Sequence, residues 1–205
     1  MTTLAVALIG VGGTLGGTLG GTVLSQRANR EQNRRADLER EQERHERAIQ
    51  HRRDPYARLN ATARAYRVAA RDAVEASQRG ESVGPALLDA AEEAWADEYS
   101  QARMALARDV PDVASALNKA LGVGYSVVKQ LAGSPDPGRA YQRAERWFSG
   151  PLSDGVYLLR VTLRRDLGVE TEPHFEQARL RMLTTLDDVR DDLARLLAAE
   201  RAQAA

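Results

Sequence analysis

The sequence predicts an all-α chain: an N-terminal transmembrane helix continuing into a charged stalk helix, then a multi-helix bundle. Three observations predict it. Alanine, leucine and arginine dominate the 205 residues, a composition that favours helix. Apolar residues recur three or four apart from Leu59 to Leu196, and no stretch shows the sustained alternation of a half-buried strand. No ionisable side chain precedes Arg27, although 28% of the chain is charged. These contrasts set expected boundaries at 1–26, 27–53 and 54–205.

The first element is the stretch Leu4–Leu24, LAVALIGVGGTLGGTLGGTVL, 21 residues without a charge. As a helix it spans about 30 Å, the thickness of a bilayer's hydrocarbon core. In water each glycine would cost a helix about 1 kcal/mol relative to alanine. In lipid the same glycines admit a close neighbour. Gly12, Gly16 and Gly20 fall on one helical stripe, and Gly13, Gly17 and Gly21 on the next, a doubled G-x-x-x-G packing device. The segment is therefore expected to self-associate within membrane lipid and make the chain a homo-oligomer.

Other readings of this stretch are weaker. A dinucleotide-binding loop needs glycine where Leu15 stands, then a second strand ending in an acid, and neither is present. A cleaved secretory signal, which would make the protein a secreted helical one, needs a basic start and an A-x-A site, and both are missing. A flexible glycine-rich tail would not carry so many leucines and valines.

The second element, 27–53, holds nine arginines and six acids, and 54–205 carries the compensating excess of acid. Arg27, Arg30, Arg34 and Arg35 form a juxtamembrane basic collar that fixes orientation. The N-terminus is expected outside and the rest cytoplasmic, with the collar near anionic headgroups. Glu31–Arg35 and Glu43–Arg47 are i,i+4 pairs in the favourable order. Positions 38, 45, 49, 56, 59, 63 and 66 also trace a 3.5-residue repeat, so a weak coiled coil is the alternative to a lone solvated helix. Acids interleave throughout and no aromatics intervene, so no nucleic-acid partner is expected.

The third element begins at Asp54-Pro55, a cap followed by proline at a helix start. Leu59, Ala63, Tyr66, Ala70 and Val74 trace a helix to about Gln78, and Gly80 and Gly84 bracket a turn. Leu88, Ala91, Trp95, Tyr99, Ala102 and Leu106 trace the next, ending near Asp109, where Val110-Pro111-Asp112 breaks it. Val113 to Leu131 follow as a third, despite Gly122 and Gly124. The turn GSPDPG, 133–138, leads to a short helix through Tyr141, Ala144, Trp147 and Phe148, stopped at Gly150-Pro151. Leu152 to Leu167 form another, ended by Gly168. The last and longest carries Phe175, Met182, Leu186, Val189, Leu193 and Leu196. About 150 residues of such helices suffice for one core.

No chemistry assembles along these helices. His45 and His51 are six apart, off a shared face, and His174 follows Glu172-Pro173 as a loop residue, so no metal site is expected. Asp187, Asp188, Asp191 and Asp192 flank the apolar stripe of the last helix as a solvated face, or as a patch for an arginine-rich partner. No G-x-S-x-G, phosphate loop or Glu-x-x-His occurs, and there is no cysteine. Tyr99, Tyr125, Tyr141, Tyr157, Trp95 and Trp147 sit at helical spacing and read as packing residues. No catalytic residue and no cofactor are therefore expected.

The layout resembles a diffuse set of uncharacterised actinobacterial proteins. The resemblance is carried by the glycine-rich N-terminal helix, the run LSQRANREQNRRADLEREQERHERAIQHRRDPYARL and RRDLGV before the last part. It implies membrane attachment and carries over no functional residue. The leading expectation is a single-pass, membrane-anchored interaction or scaffold protein, with a cytoplasmic protein partner. The rival is a pore-forming effector in which several N-terminal helices gather, with Thr14, Thr18 and Thr22 lining the path.

Overall fold

The computed structural model describes residues 3–81, 86–107, 109–170 and 173–204, with side chains from 31 to 202. They form helices joined by turns, with no strand among them: α1 (Thr3–Gln78), α2 (Ala86–Ala102), α3 (Val110–Gln130), a 3-10 turn (Leu131–Gly133), α4 (Pro137–Ser149), α5 (Pro151–Asp166) and α6 (Phe175–Ala204). The expected all-α helical architecture is present. The chain divides into two compact units, Met1–Gln50 and His51–Ala205.

In the first unit, side chains are described from Glu31. All through Gln50 are exposed except the half-buried Ala36 and Ile49. Helix here is supported along its own surface. The expected Glu43–Arg47 pair forms at 2.5 Å, and Asp37 meets Arg40 at 3.2 Å. Each exposed pair of this kind contributes about 0.3–0.5 kcal/mol.

The second unit is built on one hydrophobic core. α3 packs on α5 and α6, α5 on α4 and α6, and α2 on α3. The largest fully buried side chains include Trp147, Tyr56, Tyr66, Phe148, Leu59, Leu117, Leu121 and Leu159, drawn from α1, α3, α4 and α5. Burying each one stabilises the fold by roughly 1.5–3 kcal/mol. Tyr66 spends its hydroxyl on the Leu121 carbonyl of α3 at 2.8 Å. Burial pushes that hydroxyl's pKa up.

Helix ends follow the expected chemistry. At Gly80 (φ +72°) the Glu81 amide returns to the Ala76 carbonyl at 3.0 Å; at Gly168 (φ +71°) the Val169 amide returns to the Arg164 carbonyl at 2.9 Å. Both closures need a left-handed residue, which glycine adopts without steric cost. Asp136 caps α4 by accepting from the Arg139 amide at 3.1 Å.

Four details differ from the sequence reading. Asp54-Pro55 does not start a helix, because α1 runs through Pro55. Proline removes an amide there, and the turn is held instead from the side. Arg52 and Tyr56, one turn apart, both donate to Asp166 Oδ2 at the end of α5, at 2.6 and 2.9 Å. α2 stops at Ala102 and not near Asp109. Val110 is fully buried and Pro111 opens α3, so the residues before them must supply the connection. In α6 the core position is Leu197, with Leu196 on the surface, because the stripe steps by four from Leu193.

The fourth difference concerns the coiled-coil repeat. Tyr56, Leu59, Ala63 and Tyr66 are all buried in this unit's own core. They are not open to a parallel partner. Of the upstream positions, Leu38 and His45 are exposed and Ile49 is half-buried.

Candidate interaction surface

Over 51–78, α1 is apolar on two opposite sides. Tyr56, Leu59, Ala63, Tyr66, Ala70 and Val74 face the core. Residues two apart on a helix lie about 160° apart around its axis. Val68 is therefore almost opposite Tyr66, and Ala61, Ala65 and Ala69 share its side. Val68 is 50% exposed. A helix apolar on two sides either lies inside a core or offers one side to something else.

α2 supplies the second wall. Leu87, 71% exposed, and the half-buried Ala91 complete an open, mainly apolar groove of about 580 Å³ with Ala61, Ala65, Val68 and Ala69 of α1. Arg64 and Asp72 lie on its rim.

The position of α2 is set by polar ties on its other faces. Glu98 receives both of its bonds from Arg58 Nε at 3.1 Å. Trp95 Nε1 donates to Asn118 of α3 at 2.9 Å, and its ring stacks on Tyr99 with centroids 5.7 Å apart. Asp89 accepts from Lys129 at 2.8 Å and from Tyr125 at 2.9 Å. The Lys129 ammonium, then the Tyr125 hydroxyl, hold the Asp89 carboxyl below the usual carboxylate range, and Asp89 in turn raises Lys129. These ties point Leu88 inward and leave Leu87 outward.

The sequence-derived site residues fall elsewhere. Gly12, Gly13, Gly16, Gly17, Gly20 and Gly21, with Arg27 and Arg30, lie outside the residues whose side chains are described. Arg34 and Arg35 are exposed on α1. Among the described residues, no helix is long and apolar enough to cross a membrane. The side chains of the uncharged segment Leu4–Leu24 are outside the described ones.

His45 and His51 are exposed, and His174 sits in a turn with φ +68°. Among the described residues, no three His, Asp or Glu side chains gather as a metal cage would require. Three of the four α6 aspartates meet arginines of the same helix: Arg190 meets Asp187 and Asp191, and Arg195 meets Asp192. Trp95 and Trp147 are core residues, whereas Tyr157 is 44% exposed beneath Arg160.

A largely buried polar cluster in this unit is structural in form. Asp166, its side chain 3% exposed, joins Arg52 and Tyr56. Burial first, then the bond to Asp166, pushes the Tyr56 hydroxyl up to about 12. A tyrosine that titrates there stays protonated and donates; it does not serve as a base near neutrality.

No family model, curated protein or solved structure matches this chain.

The groove is the feature the sequence reading passed over. Its signal was available: Ala61, Ala65, Val68 and Ala69 recur at spacings of four, three and one, opposite the core stripe. Alanine is weakly apolar and common in this chain, so the second stripe does not stand out by composition.

Proposed function

We propose that this chain is a membrane-anchored helical interaction protein. Residues 4–24 would hold it in the bilayer, the arginine collar would keep the remainder cytoplasmic, and the glycine stripes would bring copies together. The single observation that carries this reading is the segregation of charge. Leu4–Leu24 has none, and the next stretch is dense with arginine and glutamate. The exposed, salt-paired helix over 31–50 supports it as a juxtamembrane segment, and the outward-facing groove supports a binding role for 51–205. The resemblance to single-span actinobacterial proteins points the same way.

Fractionation with protease accessibility tests the reading. The full-length protein is expected in the membrane pellet, resistant to a carbonate wash and released by detergent. Its C-terminal domain is expected to be shielded from protease in intact cells and cut after lysis. Protein found in the soluble fraction without detergent overturns the anchor. Gly16→Leu with Gly17→Leu is expected to remove crosslinked oligomers of the N-terminal segment while the helical signal is unchanged.

A further inference from the structure

We infer that the groove between α1 and α2 receives the same groove of a second copy, with the two α1 segments antiparallel and crossing at Val68. The inference rests on the groove of the 51–205 unit alone, and it describes a pairing distinct from the parallel one proposed for the glycine stripes.

The charges along this face are symmetric about Val68. Arg64, Val68 and Asp72 are four residues apart in turn, so they form one ridge along the helix surface. Opposite charges sit at equal distances on either side of the valine. Turning a second copy about a two-fold axis through Val68 sets its Asp72 against Arg64 and its Arg64 against Asp72. A parallel arrangement sets like charges together. An isologous interface needs this self-complementarity, in which residue i meets j and j meets i. Among the described residues, neither Arg64 nor Asp72 has a partner within its own chain. Both are exposed.

Shape agrees with charge. Ala61, Ala65 and Ala69 form the adjacent ridge, low enough for a second helix to lie close. Leu87 stands beside them, 71% exposed, as a knob for the opposite groove. Exposed leucines are ordinary singly; one at the wall of an apolar groove with Val68 is a contiguous patch. Another protein's helix would fill the groove too, but nothing would then require the rim charges to mirror each other about Val68.

The chain has no cysteine, so single cysteines report without background. In the full-length protein extracted in mild detergent, where no shared bilayer fixes the direction of the two copies, Val68→Cys is expected to form a disulfide-linked dimer under mild oxidation. Tyr157→Cys, exposed on α5, is the control and is expected to stay monomeric. Arg64→Cys and Asp72→Cys are each expected to link poorly alone and readily when mixed. Arg64→Asp is expected to weaken the Val68→Cys dimer roughly tenfold, and Arg64→Asp with Asp72→Arg to restore it.

Equal linking at Val68→Cys and Tyr157→Cys overturns the proposal. So does a charge swap without rescue, or Val68→Cys captured on a different protein. With Gly16→Leu and Gly17→Leu added, the Val68→Cys dimer is expected to persist. Its loss there assigns all self-association to the N-terminal segment and also overturns the proposal. A dimer that persists in protein found soluble leaves this inference standing while removing the anchor.

Discussion

Residues 31–50 and 51–78 belong to the same helix, and they hold it by different means. In the first stretch nearly every side chain is in water, and the support is local: ion pairs one turn apart and good helix formers. In the second, Tyr56, Leu59, Ala63 and Tyr66 are removed from water by α2 to α6, and two charged or polar side chains reach 110 or more residues along the chain to Asp166. The contrast teaches that an unbroken helix is no evidence of uniform stability. One part is a sum of small terms near the surface; the other is fixed by burial, which contributes several times more per residue.

The largest expected effect comes from removing the carboxylate of Asp166, whose side chain is 3% exposed. Asp166→Ala leaves Arg52, its side chain 17% exposed, without its carboxylate. It is expected to destabilise the protein by about 3–5 kcal/mol in urea unfolding. Glu43→Ala, which removes an equally short but exposed pair, is expected to cost less than about 0.5 kcal/mol. Similar losses for the two variants would erase the distinction between the stretches.

Leucines sharpen the same contrast. Leu59→Ala is expected to cost about 2–5 kcal/mol, because a fully buried side chain leaves a cavity. Leu38→Ala, at a position 60% exposed, is expected to fall within about 0.5 kcal/mol of the parent. A large loss at Leu38 would mean that the first stretch is covered by a partner helix.

Two glycines in α3 give the next effect. A Cβ at Gly124 would lie 3.1 Å from Trp147 Nε1 and 3.2 Å from Phe148 Cε1, whereas one at Gly122 meets nothing within 4 Å. Gly124→Ala is expected to destabilise the fold by about 1–3 kcal/mol and lower the melting midpoint, and Gly122→Ala to stabilise it by about 0.5–1 kcal/mol and raise the midpoint. Equal shifts in both would show that α4 does not press on α3 at Gly124.

The last effect is a pH slope, confined to the alkaline range. The Tyr56 hydroxyl holds its proton to about pH 12 in the folded protein, against 10.0 for the free side chain. The folded state therefore binds more protons than the unfolded one between those values, and stability falls as pH rises through that window. The loss is roughly 3 kcal/mol, complete above the folded-state value and absent well below pH 10. Tyr56→Phe is expected to lower stability by about 1 kcal/mol at neutral pH and to flatten this alkaline slope. A slope unchanged in that variant would place the titration elsewhere.

Helix identity was legible in the sequence because burial demands a 3.6-residue period, and the core stripes of α1, α3, α4 and α5 follow it closely. What escaped reading depends on partners distant in sequence. Nothing near Pro55 indicates that Asp166 will steady the turn from the far end of α5. Nothing near Ala102 marks the end of α2, which is decided by where Val110 must enter the core. The heptad at 56–66 looked like an interhelical seam, since a coiled coil and a bundle core draw on the same spacing. The groove was half legible: its alanines are periodic, but only the fold places Leu87 beside them.

Pro55 has one more consequence. With no N–H to give, it leaves the His51 carbonyl outside the helix ladder, one residue past the division between the two units. Fraying that starts upstream travels by breaking one rung after another, and here a rung is already missing and the next turn is pinned to Asp166. Amide exchange is thus expected to change abruptly across Pro55, fast before it and slow after it, so that the upstream stretch can open and close many times while the bundle stays shut.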